Sequence, residues 1–99
     1  MEAPGTAPVA RTVAITIGEH GFEPDRVEAR AGEEVELVFT RRVEHTCVTR
    51  VVLSLDADRR IERDLPLDRP VVVRLSFDRP GELGFSCPMG MHAGVITIR

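Results

Sequence analysis

Lysine, tryptophan and tyrosine are absent from this chain, and cysteine, histidine and methionine are scarce. All 13 basic residues are arginine, which reads as a genomic base-composition bias rather than a demand for guanidinium. They alternate with 16 acidic residues and form no basic stripe, so nucleic acid is not an expected partner. No apolar run approaches the length that spans a bilayer, so no membrane insertion of this segment is expected. The N-terminus lacks the ordered charged, apolar and small-residue stretches of a secretory signal. No Ser/His/Asp arrangement, phosphate-cradling glycine loop or HExxH sequence occurs, and no isolated carboxylate pair lies in an apolar setting. The chain is therefore not expected to be an enzyme.

What is present suits one globular domain. Ninety-nine residues support a single core, and 42% apolar with 29% charged residues is ordinary globular composition. Residues 1–10 are small, Ala/Pro-rich and without periodicity, and read as a disordered leader or linker stub. Residues 11–99 form the domain.

Along that domain, short alternating runs are separated by turn signals. They are Val13/Ile15/Ile17, Val27/Ala29, Val35/Leu37/Phe39, Val51/Leu53/Leu55, Val71/Val73/Leu75/Phe77, Leu83/Phe85/Cys87 and Val95 to Ile98. Gly18 to Asp25 reads as a turn-rich connection, and Ile61 to Leu67 as a short irregular edge segment. Apolar spacing of the helical period is nowhere sustained. The expectation is an all-β chain of seven to eight strands in a sandwich or small barrel. Cys87 continues the parity of Leu83 and Phe85, and Cys47 that of Val51 and Leu53, so both thiols are expected to face the core at strand ends.

The scarce residues are concentrated. Apart from Met1 and His20, every Cys, His and Met lies in His45-Thr46-Cys47 or in Cys87-Pro88-Met89-Gly90-Met91-His92. Thiolate, thioether and imidazole are the donors that monovalent copper prefers, and both segments lack carboxylates. The candidate ligands are Cys87, Cys47, Met91, Met89, His92 and His45, around one copper ion per chain as Cu(I) or Cu(II). His45 and Cys47, two residues apart in an extended segment, would share a face. His20, in a turn, reads as an exposed residue. Each candidate has a plainer reading. Met89 and Met91 could be gap-filling core residues, His92 and His45 exposed loop residues, and Cys47 and Cys87 a disulfide in a metal-free interaction module. Zinc suits Cys and His but gains nothing from thioethers, whereas silver suits the whole set.

The order Gly21-Phe22-Glu23-Pro24-Asp25, Ala31-Gly32-Glu33, Val38-Phe39, then Arg79-Pro80-Gly81 through Phe85-Ser86-Cys87-Pro88-Met89-Gly90-Met91-His92-Ala93-Gly94 resembles the cupredoxins. It is most similar to bacterial domains carrying a Cys-x-Met-x-Met loop. The resemblance implies a Greek-key β-sandwich with copper at one end, most ligands in the loop before the last strand and one more in a mid-chain loop. Cys87 matches the thiolate of that C-terminal loop, and His45 or Cys47 falls where the mid-chain ligand is expected. A blue copper centre places His two to four residues after the loop Cys, but here Met89 and Met91 come before His92. The second loop Cys of a dinuclear centre is replaced by Met91. The implied role is copper storage, delivery or tolerance, with electron transfer as the alternative, and a copper transporter or a redox protein as partner. The resemblance favours a periplasmic or other extracytoplasmic location; a native start at Met1 would mean the cytoplasm.

Overall fold

The computed structural model describes residues 9–46, 48–55 and 58–99. Among the described residues there is no helix and there are nine strands. In chain order they are β1 (Val9–Gly18), β2 (Gly21–Glu23), β3 (Arg26–Ala29), β4 (Glu34–Arg41), β5 (Arg50–Ser54), β6 (Arg60–Asp64), β7 (Pro70–Ser76), β8 (Gly81–Ser86) and β9 (Ala93–Ile98). They form two sheets, ordered β2-β1-β4-β7 and β3-β9-β8-β5-β6. The β1–β4 and β3–β9 pairs are parallel and the other pairs antiparallel. This is the all-β sandwich expected from the alternation, and it agrees with a Greek-key arrangement.

Alternation delivers the core, because successive side chains on a strand point to opposite faces. Ile15 and Ile17, Val35, Leu37 and Phe39, Val51 and Leu53, Val73 and Leu75, Leu83 and Phe85, and Ile96 and Ile98 are all buried between the sheets. Among the described residues no polar or charged side chain is buried with them.

Two elements differ from the sequence expectation. β2 lies inside the stretch read as a connection. Its three residues pair with β1 as Thr16↔Glu23, Ile17↔Phe22 and Gly18↔Gly21, too few for a period to show. β6 is a regular strand, paired with β5 from Arg50↔Asp64 to Ser54↔Arg60, rather than an irregular segment. It overhangs the core edge, so only Ile61 of its residues is even half-buried and no alternation marks it. Its charges suit an edge, where they oppose pairing with another chain. Arg50 meets Asp64 at 2.9 Å and Glu62 at 3.3 Å. The Asp64 hydrogen bond and charge raise the Arg50 pKa above its ordinary value. β1 takes in Val9 and Ala10, the last two residues of the stretch read as a leader.

Candidate metal centre

Strand register brings three connections to one end of the sandwich. Ile17 of β1 lies beside Arg41 of β4, so the β1–β2 turn and the start of the β4–β5 connection are neighbours. There the Arg42 amide donates to the Ile17 carbonyl at 2.9 Å. Across the other sheet, Val52 pairs with Ser86, which sets the start of β5 beside the point where β8 runs out into Cys87.

The β8–β9 connection is a closed loop. The Cys87 amide donates to the His92 carbonyl at 3.1 Å, and the Gly90 amide to the Cys87 carbonyl at 2.9 Å. The second bond closes a β-turn with Pro88 and Met89 at its centre. Proline fixes φ at the first central position, and Gly90 follows at φ +72°, where a side chain would be strained. The six residues therefore have a defined base and a defined tip.

Cys87 is at the base, 0% exposed and part of the hydrophobic core, as its strand parity predicts. The same core holds three phenylalanines packed edge to face, Phe22 and Phe85 at 4.9 Å, Phe39 and Phe85 at 5.9 Å, and Phe22 and Phe39 at 6.3 Å between ring centroids. Met89 and Met91 are at the tip, 76% and 71% exposed. They do not fill gaps in the core. Leaving an unbranched apolar side chain in water forgoes roughly 1.5–3 kcal/mol of burial, so two in one short loop call for another explanation. His92 is half-buried with its ring on Gly21: a Cβ there would stand 2.7 Å from His92 Nδ1. That contact ties the loop to the opposite sheet, and Gly21 also adopts φ +98°.

The mid-chain segment is positioned differently. The His45 side chain is 97% exposed, with Nε2 3.8 Å from Glu44 Oε1. Cys47 lies outside the described residues. On either side of it, the Val48 amide donates to Thr46 Oγ1 at 3.1 Å, and Val48 is fully buried. His20 is exposed at the β1–β2 turn. Among the described residues, no three His, Cys, Asp or Glu side chains converge as a metal-holding group. What the loop itself brings together is one thiol, two thioethers and one imidazole within six residues. That donor set fits a soft monovalent ion and does not fit a hard one.

Sequence reasoning missed Arg41. Its guanidinium Nε donates to the Leu65 carbonyl at 2.7 Å, and Nη1 to the carbonyls of Val43 at 3.1 Å and Glu44 at 3.0 Å. An arginine ending a strand carries no sign of such contacts.

The chain belongs to the family of cupredoxin-like domains, whose model matches residues 1–98. Solved structures share its fold. A copper-binding protein in its apo form, determined by NMR, superposes with a TM-score of 0.79 at 20% identity, over 95% of this chain and 93% of that one. The metal-binding domain of the Cu(I)-exporting P-type ATPase CopA of Streptococcus pneumoniae, with Cu(I), gives 0.75 at 21% identity over 96% and 99%. Auracyanin B gives 0.74 at 14% identity over 95% and 92%. At these identities the likeness establishes the fold. No curated protein matches the chain in sequence.

Proposed function

We propose that this protein binds and hands on Cu(I), as a storage, delivery or tolerance protein, and does not transform a substrate. The observation that carries this reading is the division of the β8–β9 loop: the Cys87 thiol faces inward at its base, while Met89 and Met91 stand in solvent at its tip. A thiol placed in a dry apolar setting favours a soft, singly charged ion over a hydrated divalent one. Thioethers stay uncharged at every pH, so they release no proton when a metal arrives. Two structural neighbours are a copper-binding protein and a Cu(I) exporter domain, which supports copper as cargo. Cys87 with Met89, Met91 and His92 would hold the ion, with Cys47 or His45 contributed by the mid-chain segment.

Anaerobic titration of the reduced protein with Cu(I), followed by ferricyanide and recording of visible and EPR spectra, tests this. The expected result is tight binding of one ion per chain that remains colourless and EPR-silent. An intense visible band with a Cu(II) EPR signal would instead establish the electron-transfer reading. Absence of binding, with both thiols blocked before reduction, would establish the disulfide-linked module.

A double variant separates the thioethers from the fold. Met89→Leu with Met91→Leu keeps volume and hydrophobicity at two exposed positions, so stability should change by no more than about 0.5 kcal/mol. If both sulfurs take part, Cu(I) affinity falls by roughly tenfold for each, about 1.4 kcal/mol apiece. Competition with a chromophoric Cu(I) chelator measures it. Unchanged affinity would remove both thioethers from the site.

A further inference from the structure

We infer that Arg41 is a positioning residue for the copper site, fixing the segment that leads into His45 before the metal arrives; this rests on the copper reading above. The segment between β4 and β5 is held at both ends by one other piece of chain, the connection between β6 and β7. At the near end, the Asp68 amide donates to the Arg41 carbonyl at 2.7 Å, and Arg41 and Leu67 form a parallel bridge. At the far end, the Leu65 amide donates to the Thr49 carbonyl at 2.9 Å. The Arg41 side chain completes the arrangement by donating to Leu65, Val43 and Glu44 carbonyls together. Leu65 is 1% exposed, so this anchor is part of the core.

The chemistry suits a guanidinium in particular. Its planar fork of donors can satisfy three carbonyls in fixed directions, which an ammonium on a flexible stem cannot. No carboxylate pairs with Arg41 among the described residues, so its donors serve backbone alone. Val43 and Glu44 lie just before His45, outside the strands formed by the described residues. Ordering such a segment during folding removes that cost from metal binding. Neighbouring Arg42 differs: it makes an exposed ion pair with Asp68 at 3.3 Å, of a kind that contributes little.

The test uses the whole reduced chain and Cu(I), with affinities from chelator competition. Arg41→Gln should lower affinity by roughly 10–100-fold, the usual loss when a group orienting a metal ligand is removed. Arg41→Lys should fall between, and it carries the test if Arg41→Gln does not fold. Arg42→Ala should stay within about twofold of wild type, as a surface ion pair predicts. Two controls distinguish positioning from general weakening. Val73→Ala, a core change in β7, should lower the melting temperature without moving affinity. Amide hydrogen exchange in the copper-free Arg41 variant should quicken at Val43 to Thr46 while β8 and β9 stay protected. If wild type binds Cu(I) and the Arg41 variants bind equally well, the assignment fails and the copper reading stands. If wild type itself does not bind Cu(I), the copper reading fails and takes the assignment with it.

Discussion

Replacing Cys87 with serine is expected to lower Cu(I) affinity by at least about a thousandfold, or roughly 4 kcal/mol. The thiolate is the one anionic soft donor the β8–β9 loop supplies, and a hydroxyl is a hard, protonated substitute. Serine carries a second penalty that must be kept apart. Cys87 is 0% exposed among core side chains, and taking a hydroxyl out of water into such a setting costs more folding stability than taking in a thiol. Cys87→Ala lacks that penalty, since it adds no polar group. Both variants should lose copper, whereas serine should be the less stable in its absence. Thermal melts with and without metal give the two quantities. At free Cu(I) about a thousandfold above Kd, wild type gains about 4 kcal/mol from binding, and neither variant should gain anything comparable. Should the alanine variant keep copper within tenfold of wild type, Cys87 is a core thiol and the ion sits elsewhere.

The parts of this protein that could be read from sequence are those governed by periodicity of two. Ile15 and Ile17, Leu37 and Phe39, Leu83 and Phe85 each announced a half-buried strand, and the same parity placed Cys87 inward. β2 was hidden because three residues cannot show a period, and β6 because an overhanging edge has no buried face to mark. The donor cluster was legible because the chain has few His, Cys and Met and concentrates them. Which way the donors point was not. Met89 and Met91 share a loop with Cys87 but stand in solvent, since the turn at Pro88 directs them outward. The packing of His92 on Gly21 and the three carbonyls held by Arg41 join residues that are distant in sequence or differ from their partners by no property of type. Such contacts exist only once the sheets are assembled.

Gly94→Ala should be among the most damaging small substitutions in the chain, although alanine for glycine within a strand ordinarily gains about 0.4–1 kcal/mol. The sign reverses because the added Cβ would run into Phe85 Cζ and stand 2.6 Å from Phe85 Cε1 and 2.7 Å from the Asp25 carbonyl oxygen. Neither neighbour can give way cheaply. Phe85 is 1% exposed and held edge to face by Phe22 and Phe39. The Asp25 oxygen accepts the Val95 amide at 2.8 Å, where the parallel β3–β9 pairing begins. Overpacking of this kind costs about 1–3 kcal/mol, and the lost backbone bond adds about 1 kcal/mol more. For a domain of this size each kcal/mol lowers Tm by roughly 4–8 °C, so a fall on the order of 10–20 °C is expected. Gly84→Ala is the matched comparison on the neighbouring strand. Its nearest contact for a Cβ is the Gly94 carbonyl oxygen at 3.9 Å, ordinary van der Waals distance, so stability should hold or rise. Phe85 lies two residues before Cys87, so a ring pushed aside at Gly94 also shifts the base of the metal loop. Gly94→Ala should therefore weaken Cu(I) binding as well as folding, while Gly84→Ala leaves both intact. Equal melting temperatures for the two variants would mean that the Phe85 ring does not lie over Gly94, and the link from the aromatic cluster to the copper loop would be lost.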